Sequence, residues 1–126
     1  MAWLMSETRV LASIDVASTH AERLKGLIGR DSVEGAFAIP KCRWVHTIGM
    51  RFNIDVAYVD SEGIVIKIDH LRRHRVAVPV PKAHTVIEAR SGAFERWGLR
   101  VGDPVEIRLT DPELAPNAAP ERNPEL

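Results

Sequence analysis

The segment from Cys42 to Asp55 is the part of the sequence richest in side chains that can do chemistry. It places a thiol, the imidazole of His46, the hydroxyl of Thr47, the thioether of Met50 and a carboxylate within fourteen positions. Cys42 and His46 can in principle form a thiolate–imidazole pair, in which the histidine lowers the pKa of the thiol. Zinc sites use three or four protein ligands at regular spacings, and the remaining histidines lack such a spacing. We therefore predict no metal site.

Two carboxylates lie within runs of apolar residues that read as strands, Asp55 and Glu88. A carboxylate at such a position must be paired or accept hydrogen bonds, because burying an unpaired charge is unfavourable. Arg23, Arg51 and Lys67 are the candidate partners, and structural ion pairing is the favoured interpretation. Perturbed carboxylates in a cleft would produce the same pattern.

A basic loop follows at residues 70–75, with three arginines and two histidines. Guanidinium groups in such a loop can bind a phosphate, another anion or an acidic protein. The favoured alternative is a solvated connection between strands.

Other features exclude several classes of function. The sequence has no phosphate-binding glycine-rich loop, no nucleophile elbow, no zinc-protease motif and no dinucleotide fingerprint. The chain has 17 Lys and Arg residues in total and 17 Asp and Glu residues, so its formal net charge is zero. It therefore has no overall electrostatic attraction to nucleic acid or lipid. No apolar run approaches the roughly 18 residues that span a bilayer. The single cysteine favours a reducing compartment, so we predict a cytoplasmic protein without a nucleic-acid or membrane partner.

These residues must be positioned by one small domain. Of the 126 residues, 1–8 are predicted to be an N-terminal extension and 9–109 a single β-rich domain. Prolines at 112, 116, 120 and 124 among alanine and polar residues predict a disordered tail over 110–126.

Alternating apolar residues predict most of the strands. Residues 54–59 and 64–69 form the clearest pair, a hairpin in which Tyr58 is predicted to face Ile66 and Val56 to face Ile68. Further strands are predicted at 9–17, 35–40, 85–89 and 105–109, with 76–81 as an extended edge.

Two short helical pieces are predicted. Thr19 and Glu22 form a capping box at the start of the first, which would end at Gly29. Gly26 inside this helix is expected to allow a close contact. Ser91 is a candidate cap for a helical turn near 92–97. Together the elements predict a mainly β fold, α+β by count, built as a compact antiparallel sandwich or barrel.

The order of the motifs resembles a known family. Residues 23–27, 45–56, 86–92 and 101–103 together resemble DUF192, also called UPF0127, a bacterial and archaeal family of unknown function. The resemblance spans about residues 9–109 and implies a compact, largely β domain, but it implies no activity. The sequence is similar to the branch with His-Thr-x-Gly-Met where other members carry Trp-Met-Lys-Asn-Thr. The residues that match the motifs are Arg23, Gly26, His46, Thr47, Met50, Asp55, Glu88 and Gly92.

The leading hypothesis is a non-enzymatic module that binds a small ligand or a protein segment in a cleft. It needs no cofactor and is expected to be a monomer or a weak dimer. One alternative is a hydrolase or transferase that uses His46 with Asp55 or Cys42. Another is a protein–protein adaptor that binds through the basic loop 70–75. The candidate ligand-binding residues are Arg23, His46, Thr47, Met50, Arg51, Asp55 and Glu88.

Overall fold

The computed structural model describes residues 2–109 of the chain. The predicted tail, 110–126, lies outside the described residues. Within residues 2–109, no helix is long and apolar enough to cross a membrane. The elements in chain order are β1 (Ala2–Ser6), β2 (Arg9–Val16), α1 (His20–Lys25), β3 (Ala36–Pro40), β4 (Ile54–Val59), β5 (Val65–Leu71), β6 (Thr85–Arg90), α2 (Ala93–Trp97) and β7 (Glu106–Leu109).

The strands form one seven-stranded sheet in the order β5-β4-β6-β3-β2-β1-β7. The predicted mainly β architecture with two short helical pieces is confirmed. The sheet is open, not a closed barrel, and it is mixed, not wholly antiparallel, because β2 and β3 run parallel. A parallel pair needs a crossover connection, and the segment that contains α1 provides it.

The first strand corrects the expected position of the N-terminal segment. Residues 1–8 were predicted to extend from the domain, but Ala2–Ser6 pairs with β2 on one side and with β7 on the other. Leu4 of this strand is completely buried. The N-terminal strand is therefore an interior part of the sheet.

Each face of the sheet carries its own apolar cluster. On the face that we call the Met50 face, Val56, Tyr58 and Val86 pack with Met50 from the loop before β4. On the opposite face, called the Phe94 face, residues of the same strands such as Ala57 and Ile87 pack against Phe94 of α2. Neighbouring residues of a strand point to opposite faces, so this alternation assigns every side chain of β4 and β6 to one face.

The β4–β5 hairpin forms with a different register from the predicted one. Tyr58 pairs with Lys67 and Val56 with Asp69, because the register shifts next to Val59. Ile66 is the extra residue at this bulge. The Tyr58 hydroxyl donates to Asp69 Oδ2 at 3.0 Å. The predicted isoleucine pairings were wrong because the spacing of apolar residues does not reveal a bulge.

Helix α1 begins as predicted and ends earlier. The Glu22 N–H donates to Thr19 Oγ1 at 3.0 Å, while Glu22 Oε1 accepts from the Ser18 N–H at 2.7 Å. The helix stops at Lys25, and Gly26 follows with φ +55°, so the predicted end at Gly29 was wrong. Glycine adopts such a positive φ without the steric cost that other residues meet.

Candidate functional site

Glu88 is the most unusual side chain of the Met50 face. Strand β6 places it between Phe37 of β3 and Val56 of β4, so both cross-strand neighbours are apolar. The residue is only 4% exposed, and Oε1 has no hydrogen-bond partner within residues 2–109. Burial raises the pKa of Glu88 to about 7. None of the predicted partners Arg23, Arg51 and Lys67 forms an ion pair with it, so the expected structural ion pairing of Glu88 was wrong.

This carboxyl lies in the wall of a cavity of about 360 Å³, which we call the Glu88 cavity. That volume lies within the range of about 300–1,000 Å³ that is typical of small-molecule sites. The buried residues of its base are Leu27, Ile39, Val45, Met50 and Glu88. Closer to solvent, the wall is formed by His20, Arg23, Leu24, Lys25, Gly26, Ile28, Pro40, Lys41, Cys42, Trp44 and His46.

The end of α1 forms one wall of the Glu88 cavity. A Cβ placed on Gly26 would lie 3.6 Å from Glu88 Oε1 and 3.6 Å from the Ile39 side chain. The expected close contact at this glycine is therefore confirmed. Since the helix ends there, Arg23 of its last turn also borders the cavity.

Cys42, Trp44 and His46 form the opposite wall. Trp44 Nε1 donates to the Ala77 carbonyl at 2.7 Å, and the indole lies against the His46 ring with centroids 5.6 Å apart. His46 Nδ1 accepts from the Ile48 N–H at 3.3 Å, which leaves Nε2 as the protonated nitrogen of the neutral ring. These contacts hold both rings in place.

The Cys42 thiol has the properties of a structural group. It donates to the Trp44 carbonyl at 3.2 Å, and burial raises its pKa. A nucleophilic cysteine requires the opposite shift, because the thiolate is the reactive form. The geometry therefore gives no support to an enzyme that uses Cys42.

Thr47 is completely buried and holds the basic loop. Its hydroxyl donates to the Arg72 carbonyl at 2.6 Å and accepts from the Arg75 N–H at 2.8 Å. Its backbone N–H donates to the Arg75 carbonyl at 2.7 Å, and its carbonyl accepts from the His74 N–H at 2.8 Å. Thr47 was predicted to bind ligand, but its polar groups are occupied by the loop.

Replacing Thr47 by valine is expected to lower the free energy of unfolding by about 2 kcal/mol, because the Arg72 carbonyl and the Arg75 N–H lose their part-buried hydrogen bonds to the hydroxyl. We also expect trypsin to cleave faster after Arg72, Arg73 and Arg75, which urea titration and limited proteolysis would measure. Thr85→Val is the control, since within residues 2–109 the Thr85 hydroxyl forms a hydrogen bond only with the His84 ring, at 3.3 Å. Equal stability and equal cleavage of Thr47→Val and the unmodified protein would contradict this role.

The basic loop itself surrounds a shallow depression lined by Asn53 and Arg72–Arg75. The Arg73 N–H donates to Asn53 Oδ1 at 3.0 Å, and His74 Nδ1 accepts from the Gly49 N–H at 3.2 Å. The backbone of the loop is thus well supported. Its use as a docking surface for an acidic protein stays a prediction.

Asp55 lies on the Phe94 face, away from the Glu88 cavity. Oδ2 accepts from the N–H groups of Gly92 and Phe94 at 3.0 and 3.2 Å, and Oδ1 is 2.8 Å from His70 Nδ1. Asp55, and not the predicted Ser91, therefore caps α2. The predicted pairing of Asp55 with His46 was wrong, because strand alternation places this carboxylate on the other face of the sheet.

Arg51 is exposed and forms an ion pair with Asp31. It does not line the Glu88 cavity. Of the predicted site residues, the structure thus brings together Arg23, His46, Met50 and Glu88, and it separates Thr47, Arg51 and Asp55 from them.

Sequence reasoning missed Leu27, Ile39 and Val45 at the base of the cavity, and Lys25 and Lys41 in its wall near solvent. Ile39 follows Phe37 by two residues in a predicted strand, which places both on one face, but nothing in the pattern shows which elements cover that face. Within residues 2–109, no three His, Cys, Asp or Glu side chains are placed to hold a metal ion together.

Two solved structures share this fold. A protein of unknown function from Novosphingobium aromaticivorans superposes with a TM-score of 0.70 at 21% identity, over 83% of this chain and 82% of that chain. A protein from Sinorhizobium meliloti, described as a candidate transcription regulator, has a TM-score of 0.70 at 20% identity, over 83% of this chain and 90% of that chain. At such identities the likeness establishes the fold alone.

Comparison at the level of sequence identifies a family. A UPF0127 protein from Pyrococcus abyssi is 39% identical over 62 residues, which cover 49% of this chain and 53% of the relative. The matched part thus spans about half the length of that relative. Residues 3–107 match the family DUF192, described as "Uncharacterized ACR", and this range includes most of β1 as well as the Glu88 cavity. The resemblance seen in the motifs is confirmed, and the chain belongs to the DUF192 family.

Proposed function

We propose that the protein is a small-molecule-binding module, and that its ligand occupies the Glu88 cavity and donates a hydrogen bond to Glu88. The observation that carries this proposal is the buried Oε1 atom without a partner at an otherwise apolar base. Buried polar atoms are almost always hydrogen-bonded, so an orphaned one in a cavity wall suggests that a ligand supplies the partner. The apolar body of such a ligand would contact Leu27, Ile39 and Met50.

A hydroxyl group suits this position best. With its pKa near 7, Glu88 is present in both protonation states at neutral pH. A hydroxyl donates to the ionised carboxylate and accepts from the neutral acid, so it satisfies both states. Its bond to the carboxylate is the stronger of the two, because it is charge-assisted.

The test uses 4-ethylphenol, which combines a small apolar body with one hydroxyl. We expect a dissociation constant on the order of 1 mM at pH 8, as nine non-hydrogen atoms at ordinary ligand efficiency provide. Heteronuclear NMR titration should show shifts at Gly26, His46 and Met50. Glu88→Gln should weaken binding about tenfold, because the charge-assisted bond becomes a neutral one.

Two controls make the experiment decisive. In 4-ethylanisole a methyl group replaces the donated hydrogen, so this compound should bind more weakly than 4-ethylphenol. Glu34→Gln changes an exposed carboxylate outside the cavity and should leave binding unchanged. If neither compound shifts the cavity resonances, or if Glu88→Gln binds 4-ethylphenol as tightly as the unmodified protein, the proposal is wrong.

A further inference from the structure

The charges of the Glu88 cavity are separated along its depth. Among the lining residues within 2–109, Glu88 is the sole carboxylate, and it lies at the buried base. Three cations, Lys25, Lys41 and the half-buried Arg23, lie in the wall near solvent, where no lining residue carries a negative charge. The cavity therefore presents a hydrogen-bond acceptor at its base and positive charge at its mouth.

These cations have no ion-pair partner in the part of the chain that the structure describes. Within residues 2–109, no carboxylate oxygen lies within 4.0 Å of the charged nitrogens of Arg23, Lys25 or Lys41. Arg23 Nη2 is 3.5 Å from His20 Nδ1, and an uncharged imidazole does not neutralise the guanidinium. All three cations are therefore available to an anion at the mouth.

The apolar wall continues from the base to the mouth. Leu24 is 69% exposed and Trp44 is 43% exposed, and both line the cavity. The indole is held in place by its bond to the Ala77 carbonyl, so it offers a fixed apolar surface. A ligand that extends from Glu88 to the cations would pass along this surface.

We infer that the ligand is an amphipathic acid, with a hydroxyl at Glu88, an apolar body along the wall, and a carboxylate or phosphate at Arg23, Lys25 and Lys41. This inference rests on the proposed function and adds the second polar end of the ligand. Arginine binds either anion through its paired N–H donors, and lysine acts as a point charge, so the mouth accepts both kinds of acid. Positive charge around a cleft also accelerates the encounter with an anion.

Matched probes test the acidic end. We would measure calorimetric dissociation constants at pH 8 for 3-(4-hydroxyphenyl)propanoate, its neutral amide, 4-hydroxyphenethyl phosphate and 4-ethylphenol. The two-carbon and four-carbon carboxylate homologues would cover different distances from base to mouth. At 20 mM NaCl the best acid should bind about tenfold more tightly than the amide, as one charged contact provides. At 300 mM NaCl this advantage should shrink, because salt screens exposed charges.

Variants locate the effect. Lys41→Gln and Arg23→Gln should each reduce the advantage of the acid over the amide to about threefold or less. Lys82→Gln removes an exposed cation outside the cavity and is the matched control, and thermal melts would confirm that each variant folds.

Three outcomes are distinguishable. An advantage of either acid that depends on Lys41 and Arg23 supports the inference. If 4-ethylphenol binds in a Glu88-dependent manner but no carboxylate or phosphate binds more tightly than the amide, the inference fails and the proposed function stands. If 4-ethylphenol itself does not bind, the proposed function fails and the inference falls with it.

Discussion

Replacing Glu88 by glutamine is expected to stabilise the unliganded protein above pH 7. Below pH 4 the substitution should leave the pH dependence of the free energy of unfolding almost unchanged. The pKa of Glu88 is raised by burial from 4.5 to about 7. Between these values the folded protein binds more protons than the unfolded chain, so stability decreases as the pH rises. Above pH 7 the folded protein bears the full cost of ionising the buried Glu88 carboxyl, which is about 3 kcal/mol. Glutamine carries no charge and avoids this cost.

Urea titrations followed by tryptophan fluorescence at pH 4 to 8.5 would measure the effect. The other titratable side chains of the cavity are common to both proteins, so the difference between variant and unmodified protein isolates Glu88. Glu62→Gln, at an exposed turn, is the control, and its difference should not change with pH. If the difference in free energy of unfolding between Glu88→Gln and the unmodified protein is constant across this range, burial does not raise the pKa of Glu88. The titratable side chains of the cavity that both proteins share are His20, Arg23, Lys25, Lys41, Cys42 and His46.

Replacing Asp55 by alanine is expected to lower the free energy of unfolding by about 2 to 4 kcal/mol. The substitution leaves the N–H groups of Gly92 and Phe94 without their acceptor, and each buried unpaired donor costs about 1 to 3 kcal/mol. Helix α2 has only five residues and no side-chain cap of its own, so it depends on this carboxylate.

Two further variants separate the contacts of Asp55. His70→Ala removes a partner that is itself 70% exposed and should cost less than about 1 kcal/mol, because water can take the place of the imidazole beside Oδ1. Asp55→Asn keeps one acceptor oxygen and should fall between the two. Because Asp55 lies on the Phe94 face, Asp55→Asn should bind 4-ethylphenol with unchanged affinity. Equal unfolding midpoints for Asp55→Ala and the unmodified protein would refute the capping role.

Local patterns predicted most of the elements but not the faces on which loops lie. The alternation in β4 correctly separates Asp55 from Val56 and Tyr58. It does not show that the loop with His46 and Met50 crosses the same face as Val56. That path depends on packing between distant segments, so the predicted meeting of His46 and Asp55 was wrong. A side chain that accepts hydrogen bonds from the first N–H groups of a helix can be recognised in the sequence only when it is next to the helix, as Thr19 is. It cannot be recognised when it comes from another element, as Asp55 does.

Glu88 illustrates the same limit for the site. Its apolar neighbours in sequence favoured structural ion pairing and left a perturbed carboxylate as the alternative, but its lack of a partner depends on pairing with β3 and β4. The parallel β2–β3 pair brings the end of α1 across the Met50 face, and this crossover encloses the cavity. No motif in residues 20–46 indicates that enclosure.

The position of β1 also affects how the chain acquires its fold during synthesis. This strand is synthesised before the other strands that the structure describes, yet its partner β7 is about a hundred residues later, with Trp3 opposite Arg108 and Leu4 opposite Ile107. Until β7 arrives, one edge of β1 keeps unpaired backbone groups that can pair with another chain. We therefore expect nascent or truncated chains that end before Glu106 to aggregate more readily than chains that include β7.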